Sequence, residues 1–412
     1  MELIEICKNA AAAKSDMIVL TTEKKNDILR KAAENLVKRS DYIIAENKID
    51  YENGVSKNMS AGLLDRLKLT NERIEGIAEG LRQVADLDDP VGEILESFDR
   101  PNGMHIDKVR VPLGVIGIIY ESRPNVTADA FALTFKTGNV VILKGGSDAI
   151  HSNAAITNVI RDTLSGEGIN PNVISLIENT DREVTKQFMK MKEYVDVLIP
   201  RGTAKLIQTV CAESNIPVIE TGAGNCHIYI DKDADPEKVI PIVINAKTQR
   251  IGVCNACESL VIHKDVSDDL LKKLAAALKE KDVEIRGDET AALIMDCDKA
   301  TDEDFYKEYL DLIISVKTVG SVEEAIEHIN KHSTKHSECI ITENKEAAEK
   351  FLKLVDSACV YHNVSTRFTD GFEFGLGAEI GISTQMLHAR GPMGLKEMTT
   401  YKYQIKGNGQ IR

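Results

Sequence analysis

Two cysteines, Cys254 and Cys257, stand in a C-x-x-C spacing within Gln249-Arg-Ile-Gly-Val-Cys-Asn-Ala-Cys-Glu258. Three chemistries use such a pair. A dithiol redox centre places it at a helix N-terminus after a strand. A zinc half-site needs a second pair of cysteines or histidines at matching spacing, and none has it. A single catalytic thiolate sits in a Gly-bearing turn, with one cysteine forward and the other packed. The run Ser259-Leu-Val-Ile-His263 that follows reads as a strand, not a helix, which favours the third use. A second segment, Ile219-Glu-Thr-Gly-Ala-Gly-Asn-Cys-His227, puts Glu220 at the end of a predicted strand and glycines after it. Strand C-termini in open α/β sheets face ligand crevices. A third, Ile142-Leu-Lys-Gly-Gly-Ser147, sets Lys144 at a strand C-terminus beside two glycines. An ammonium and closely approachable backbone N–H groups there suit a phosphate. No G-x-G-x-x-G occurs, so the ordinary dinucleotide fingerprint is missing. His332 and His336 lie four apart on a predicted helical stretch and read as a solvated helix face; no metal site is expected.

These segments need elements to hold them. The chain to about residue 98 is rich in helix formers, with apolar faces at helical spacing over Glu23–Lys38 and Leu63–Val84. Residues 99–110 change to a turn signal and strict alternation, a hairpin or arm. From 111 short apolar runs alternate with helical stretches. Strands are expected at Val115–Tyr120, Val140–Leu143, Val173–Ile177, Val195–Ile199 and Pro217–Glu220, with helices over 148–165, 181–192 and 203–215. After the break at Gly222–Asn225 a second alternating region runs to about 397. Its expected strands include Ile228–Ile230, Leu260–His263, Leu312–Val316, Glu338–Thr342 and Cys359–Tyr361. The tail Thr399–Lys406 alternates like an edge strand. Strands alternating with helices of this length imply doubly wound parallel sheets.

Composition narrows the function classes. The chain has 412 residues, a formal charge of −14, 5% aromatics and no Trp. Few aromatics disfavour base-stacking platforms, and the acidic balance disfavours a broad grip on a nucleic-acid backbone. Neither forbids a local basic pocket for a small anion. The eight cysteines are dispersed and fit reduced thiols in a cytoplasmic protein. The N-terminus carries acids where a signal peptide needs bases, and the longest apolar runs fall short of a membrane span.

Several of these segments, in chain order, resemble the aldehyde dehydrogenase superfamily: Leu113-Gly-Val with Asn125, Val141-Ile-Leu-Lys-Gly-Gly146, Glu220-Thr-Gly, Cys254 and Glu379. Tyr-Glu-Ser-Arg-Pro-Asn125, Glu-Thr-Gly-Ala-Gly-Asn-Cys-His227, Val-Cys-Asn-Ala-Cys-Glu258 and His388-Ala-Arg-Gly-Pro-Met-Gly-Leu395 resemble its branch that reduces an acyl phosphate, L-glutamyl 5-phosphate. The resemblance covers essentially the whole chain. It implies an α/β fold of two Rossmann-like parallel-sheet lobes with a small β oligomerisation arm. Residues 1–98 and 111–222 would form the cofactor-binding domain, 223–397 the catalytic domain, and 99–110 with 398–412 the arm.

The same resemblance implies NADPH-dependent reduction of L-glutamyl 5-phosphate to L-glutamate 5-semialdehyde and phosphate through a cysteine thioester, a step of proline biosynthesis. Cys254 would be the nucleophile, Asn125 and the Cys254 backbone N–H the oxyanion donors, and Glu220 a mover of protons. NADP(H) would be held by Ser122, Pro124, Lys144, Ser147, Arg201, Gly202, Thr203 and Glu379. Relatives that use NAD tend to carry Glu three residues after the lysine; Ser147 stands there and favours NADP(H). Arg123, Arg250, Thr366, Arg367 and Arg390 are the candidate substrate anchors. The resemblance implies a homo-oligomer and leaves room for association with a glutamate kinase; neither nucleic acid nor membrane is expected as a partner. Three alternatives remain: a hydrolytic NAD(P)-dependent aldehyde dehydrogenase, a non-catalytic binding module and a C-x-x-C thiol oxidoreductase.

Overall fold

The computed structural model describes residues 2–121 and 123–412. The chain forms two compact units, one of residues 1–220, 375–381 and 393–412, the other of residues 221–374 and 382–392. The first unit carries a four-stranded parallel sheet in the order Ile174–Leu176, Val140–Gly145, Val115–Tyr120, Val197–Arg201. Every residue of the two central strands is buried. That is the reason they read as continuous apolar runs: helices cover both faces of a parallel sheet. The helix Asn125–Lys136 connects these two strands, and all but two of its residues are buried. It is wedged against the outer helices Thr22–Lys38 and Asn71–Asp86, so it is apolar all round rather than striped. Counted in chain order the strands lie 3-2-1-4. The order therefore reverses between Val115–Tyr120 and Val197–Arg201, and a ligand crevice is expected outside the C-terminal ends of those two strands.

A three-stranded antiparallel sheet belongs to the same unit: Ile94–Asp99, His105–Pro112 and Thr399–Lys406. Its outer strand Thr399–Lys406 is exposed from Thr400 onward. The second unit is built on a seven-stranded parallel sheet, with Cys226–Ile230 and Cys257–His263 adjacent near its middle and Ser337–Ile341 on the far side of the former.

The structure departs from sequence expectation in several places. Pro217–Glu220 is no strand; it makes a single bridge, Val218 to Leu198. The apolar pattern Leu63–Val84 is two helices, Ala61–Leu67 and Asn71–Asp86, broken where Thr70 caps the second. Periodicity alone does not register a break when the next helix keeps the same face inward. The first arm strand begins at Ile94, inside the stretch assigned to helices. Residues 375–381 and 393–397 pack with the first unit rather than the second. The helix Val322–His332 ends at His332, and His336 is fully buried just before the next strand, not on a solvated helix face. Among the described residues no helix is long and apolar enough to cross a membrane.

Candidate active site

In the second unit the helix Pro236–Thr248 ends just before the turn that carries Cys254. Cys257 opens the strand Cys257–His263 and is fully buried, while Cys254 is half-buried in the turn. Burial pushes the Cys257 thiol well up from its ordinary range, which leaves it neutral and inert. The turn is pinned on both sides of the Cys254–Asn255 peptide. The Cys226 thiol donates to the Cys254 carbonyl at 3.1 Å. The Thr366 hydroxyl donates to the Asn255 carbonyl at 2.8 Å, and the Asn255 amide donates to the Thr369 carbonyl at 2.9 Å. Burial raises the Cys226 thiol far above its usual value, so it stays protonated and can serve as the donor. Gly224 lies against the same carbonyl; a side chain there would fall inside contact distance of Cys254. A buried ion pair, Lys247 Nζ to Glu258 Oε2 at 2.6 Å, brackets the turn from its two flanking elements.

Arg367 reaches the turn that carries the thiol, and Arg250 stands exposed in that turn. Arg367 is half-buried, bonded through Nε to Gln249 Oε1 at 3.0 Å and through Nη1 to Asn255 Oδ1. Burial lowers its pKa, and the nearby charge of Arg250 lowers it further; the Cys254 thiol lies within the same field. Two guanidiniums at one turn, with the Asp370 charge also near Arg367, make the turn attractive to an anion. Thr366 is in the wall of the turn rather than open to ligand. Arg390 is committed to an ion pair with Asp356 at 2.7 Å.

In the first unit the expected residues gather at the C-terminal ends of the parallel strands. Asn125 opens its helix after Pro124 and is exposed; Arg123 is exposed beside them. Ser122 lies outside the described residues. Lys144 is buried at the end of its strand, its Nζ donating to the Gly145 carbonyl at 3.2 Å. Burial lowers its pKa. Ser147 is exposed at the start of the following turn. Thr203 caps the helix Ala204–Glu213, and Arg201 reaches from the strand end to the Ile380 carbonyl, next to Glu379. The structure thus joins the 201–203 turn to the Glu379 segment within one unit. Glu220 is half-buried, and its charge helps raise the Cys211 thiol.

Some residues that matter here were not singled out from the sequence. Glu121 accepts from the Thr203 N–H at 2.8 Å and ties the two strand-end turns together. A Cβ at Gly202 would sit 2.6 Å from Glu121 Oε2, so the turn requires glycine for this approach. Asp129 accepts from the Asn125 amide at 2.9 Å. Cys226 and Asn255 lay within quoted motifs, and their role emerges only from contacts distant in sequence. Among the described residues no group of His, Cys, Asp and Glu could hold a metal ion.

The chain belongs to the aldehyde dehydrogenase family, whose family model matches residues 1–295. Within it, the chain is 56% identical over 417 residues to the gamma-glutamyl phosphate reductase of Lachnospira eligens, covering 100% of both chains. It is 54% identical to the protein of the same name from Clostridium botulinum, again over 100% of both. The crystal structure of gamma-glutamyl phosphate reductase from Thermotoga maritima matches with a TM-score of 0.98 at 47% identity, covering 100% of each chain.

Proposed function

We propose that this chain is an NADPH-dependent reductase of L-glutamyl 5-phosphate that releases L-glutamate 5-semialdehyde and phosphate in proline biosynthesis. The observation that carries the reading is Cys254 in a turn to which Arg367 is bonded through Asn255 and in which Arg250 is exposed. The full-length relatives of that name supply the substrate class. The Cys254 thiolate attacks the acyl carbon, and phosphate leaves with the electron pair of the broken C–O bond. Arg250 and Arg367 hold that leaving phosphate. The motif resemblance assigns oxyanion stabilisation to Asn125 and the backbone N–H of Cys254. When bound, the nicotinamide would supply the hydride that turns the thioester into a thiohemiacetal anion. The C–S bond then breaks, the aldehyde leaves and Cys254 returns as thiolate. Glu220 moves protons for thiol activation or phosphate release.

The cofactor residues fit a phosphorylated dinucleotide. Lys144 is a buried ammonium at a strand end, and the Gly202 turn, held by Glu121, leads into the N-terminus of the helix Ala204–Glu213. Ser147 puts no carboxylate near a ribose 2′-phosphate, which favours NADP(H) over NAD(H). Pro124, Arg201, Thr203 and Glu379 complete the set. The exposed arm strand Thr399–Lys406 carries Tyr401, Tyr403 and Ile405 at 50–61% exposure and suits pairing with a second copy. This supports a homo-oligomer, and sizing in solution tests it. The eight unbridged cysteines fit a reducing, cytoplasmic setting.

The test is NADP reduction by glutamate 5-semialdehyde. It should require phosphate or arsenate. Reduction at full rate without either would mark the enzyme as a hydrolytic aldehyde dehydrogenase and overturn the reading.

A further inference from the structure

The proposed substrate carries one cation, its α-ammonium, and every residue assigned to binding it so far is cationic or neutral. The ammonium leaves water on binding and needs an acceptor of opposite charge. Within the first unit the acids near the strand ends differ in what they already do. Glu121 spends both oxygens on Thr203, at 2.8 and 3.3 Å. Asp129 stands one helical turn beyond Asn125, on the same face, and uses one oxygen, Oδ2, to accept from the Asn125 amide at 2.9 Å. Its other oxygen, Oδ1, lies over Gly80 of the helix Asn71–Asp86, which presents no side chain; a Cβ built there would be 3.8 Å away. Burial raises the Asp129 carboxyl to about 6. Arg201 is the charged group that lowers it among the described residues, and that guanidinium is bonded to the Ile380 carbonyl. Asp129 is half-buried, and its one hydrogen bond among the described residues is the one to Asn125.

The span also agrees. Residues four apart on a helix hold their Cβ atoms about 5–6 Å apart. In an extended glutamyl chain three C–C bonds and one C–N bond separate the reacting carbon from the ammonium by a distance on the order of 5 Å. An acyl oxygen at the Asn125 amide therefore brings the ammonium within reach of Asp129.

We infer that Asp129 is the anchor for the substrate's α-ammonium and selects an α-amino acid over the same acyl chain without the amine. The inference rests on the functional reading above, in particular on Asn125 as oxyanion donor. Asp129 has a second effect: by taking one N–H of the Asn125 amide it turns the other toward the oxyanion. The two effects separate by substrate, because only the first depends on the amine.

The experiment compares L-glutamate 5-semialdehyde with 5-oxopentanoate, the same aldehyde lacking the amine, in phosphate-dependent NADP reduction. Asp129→Asn keeps size and an acceptor for Asn125 but removes the charge. It should lower kcat/KM for the aminated aldehyde by about 10- to 100-fold, the worth of a charge-assisted hydrogen bond. For 5-oxopentanoate the change should stay within threefold. Asp129→Glu, which keeps the charge, should keep the preference for the aminated aldehyde, and it decides the matter if the Asn variant does not fold. Equal losses on both aldehydes in a folded variant, or no loss on either, would overturn the anchor. Wild-type enzyme inactive on both aldehydes with phosphate present would overturn the functional reading itself.

Discussion

Gly224→Ala puts one methyl group where the nucleophile's turn passes. A Cβ at this glycine would lie 2.7 Å from the Cys254 Cα and closer still to its carbonyl. Carbon atoms pack at about 3.5–4.0 Å, so the turn must move by roughly 1 Å. It cannot move freely. The Cys254 carbonyl is held by the buried Cys226 thiol at 3.1 Å, and Asn255 is held by Thr366 and Thr369. The Gly224 N–H is bonded to Glu308 Oε1 at 2.7 Å, which keeps the glycine from yielding instead. A misplacement of about 1 Å at a reacting group costs on the order of 10²-fold in rate. Overpacking costs about 1–3 kcal/mol of stability. The expected result in the phosphate-dependent NADP reduction assay is a kcat lower by about 10²-fold in a protein that still melts cooperatively. Gly76→Ala is the control: nothing lies within 4 Å of its Cβ, and it sits inside the helix Asn71–Asp86. It should leave kcat unchanged and stabilise the helix by about 0.5–1 kcal/mol. A Gly224→Ala enzyme with kcat within threefold of wild type would refute the claim that the pinned turn sets the thiol's position.

Three further outcomes are expected. Cys254→Ser should remove reductase activity by more than about 10³-fold, whereas Cys257→Ser should change it modestly because that thiol is buried and neutral; abolition by Cys257→Ser would revive the dithiol reading. Ser147→Glu should raise KM for NADPH about tenfold or more and spare KM for NADH, through charge repulsion at an exposed position; equal effects on both cofactors would remove Ser147 from the specificity argument. Acid should destabilise the protein through His336, which burial lowers from 6.5 to about 4. Below 6.5 the unfolded chain takes a proton that the folded chain refuses, so this stability is complete above pH 6.5 and lost as pH falls toward 4. By pH 5 the loss is ~2 kcal/mol. Urea unfolding at pH 7.5 and pH 5 should show a gap smaller by that amount in His336→Asn, and an unchanged gap would refute the assignment.

The fold was legible where burial is two-sided. Val115–Tyr120 and Val140–Gly145 declare themselves because every residue in them is buried, and the helix–strand alternation then dictates a parallel sheet. Pro217–Glu220 failed for the complementary reason: a short apolar stretch at a sheet margin makes one bridge and no ladder, which composition does not distinguish from a strand. The site divided along the same line. Lys144, Arg201 and Thr203 lie at strand C-termini, the place the parallel-sheet rule names. Cys254 does not. It precedes its strand, and the turn is held by the N-terminal ends of neighbouring strands, through Cys226, and by Asn255 with the loop after Cys359–His362. Within the second unit, then, the nucleophile occupies the end of the sheet that the rule leaves empty. The C-x-x-C spacing ahead of a strand favoured a single thiolate there, and the motif resemblance named Cys254. Contacts such as Cys226 to Cys254 and Thr366 to Asn255 join residues 28 and 111 positions apart, and no local pattern encodes such pairs. Asp129 is different. Its partner Asn125 is four residues away on one helix face, so the spacing was open to view. What hid it was the helix around it: in an element buried on all sides, one acid among apolar residues reads as a boundary position until the hydrogen bond shows which way it faces.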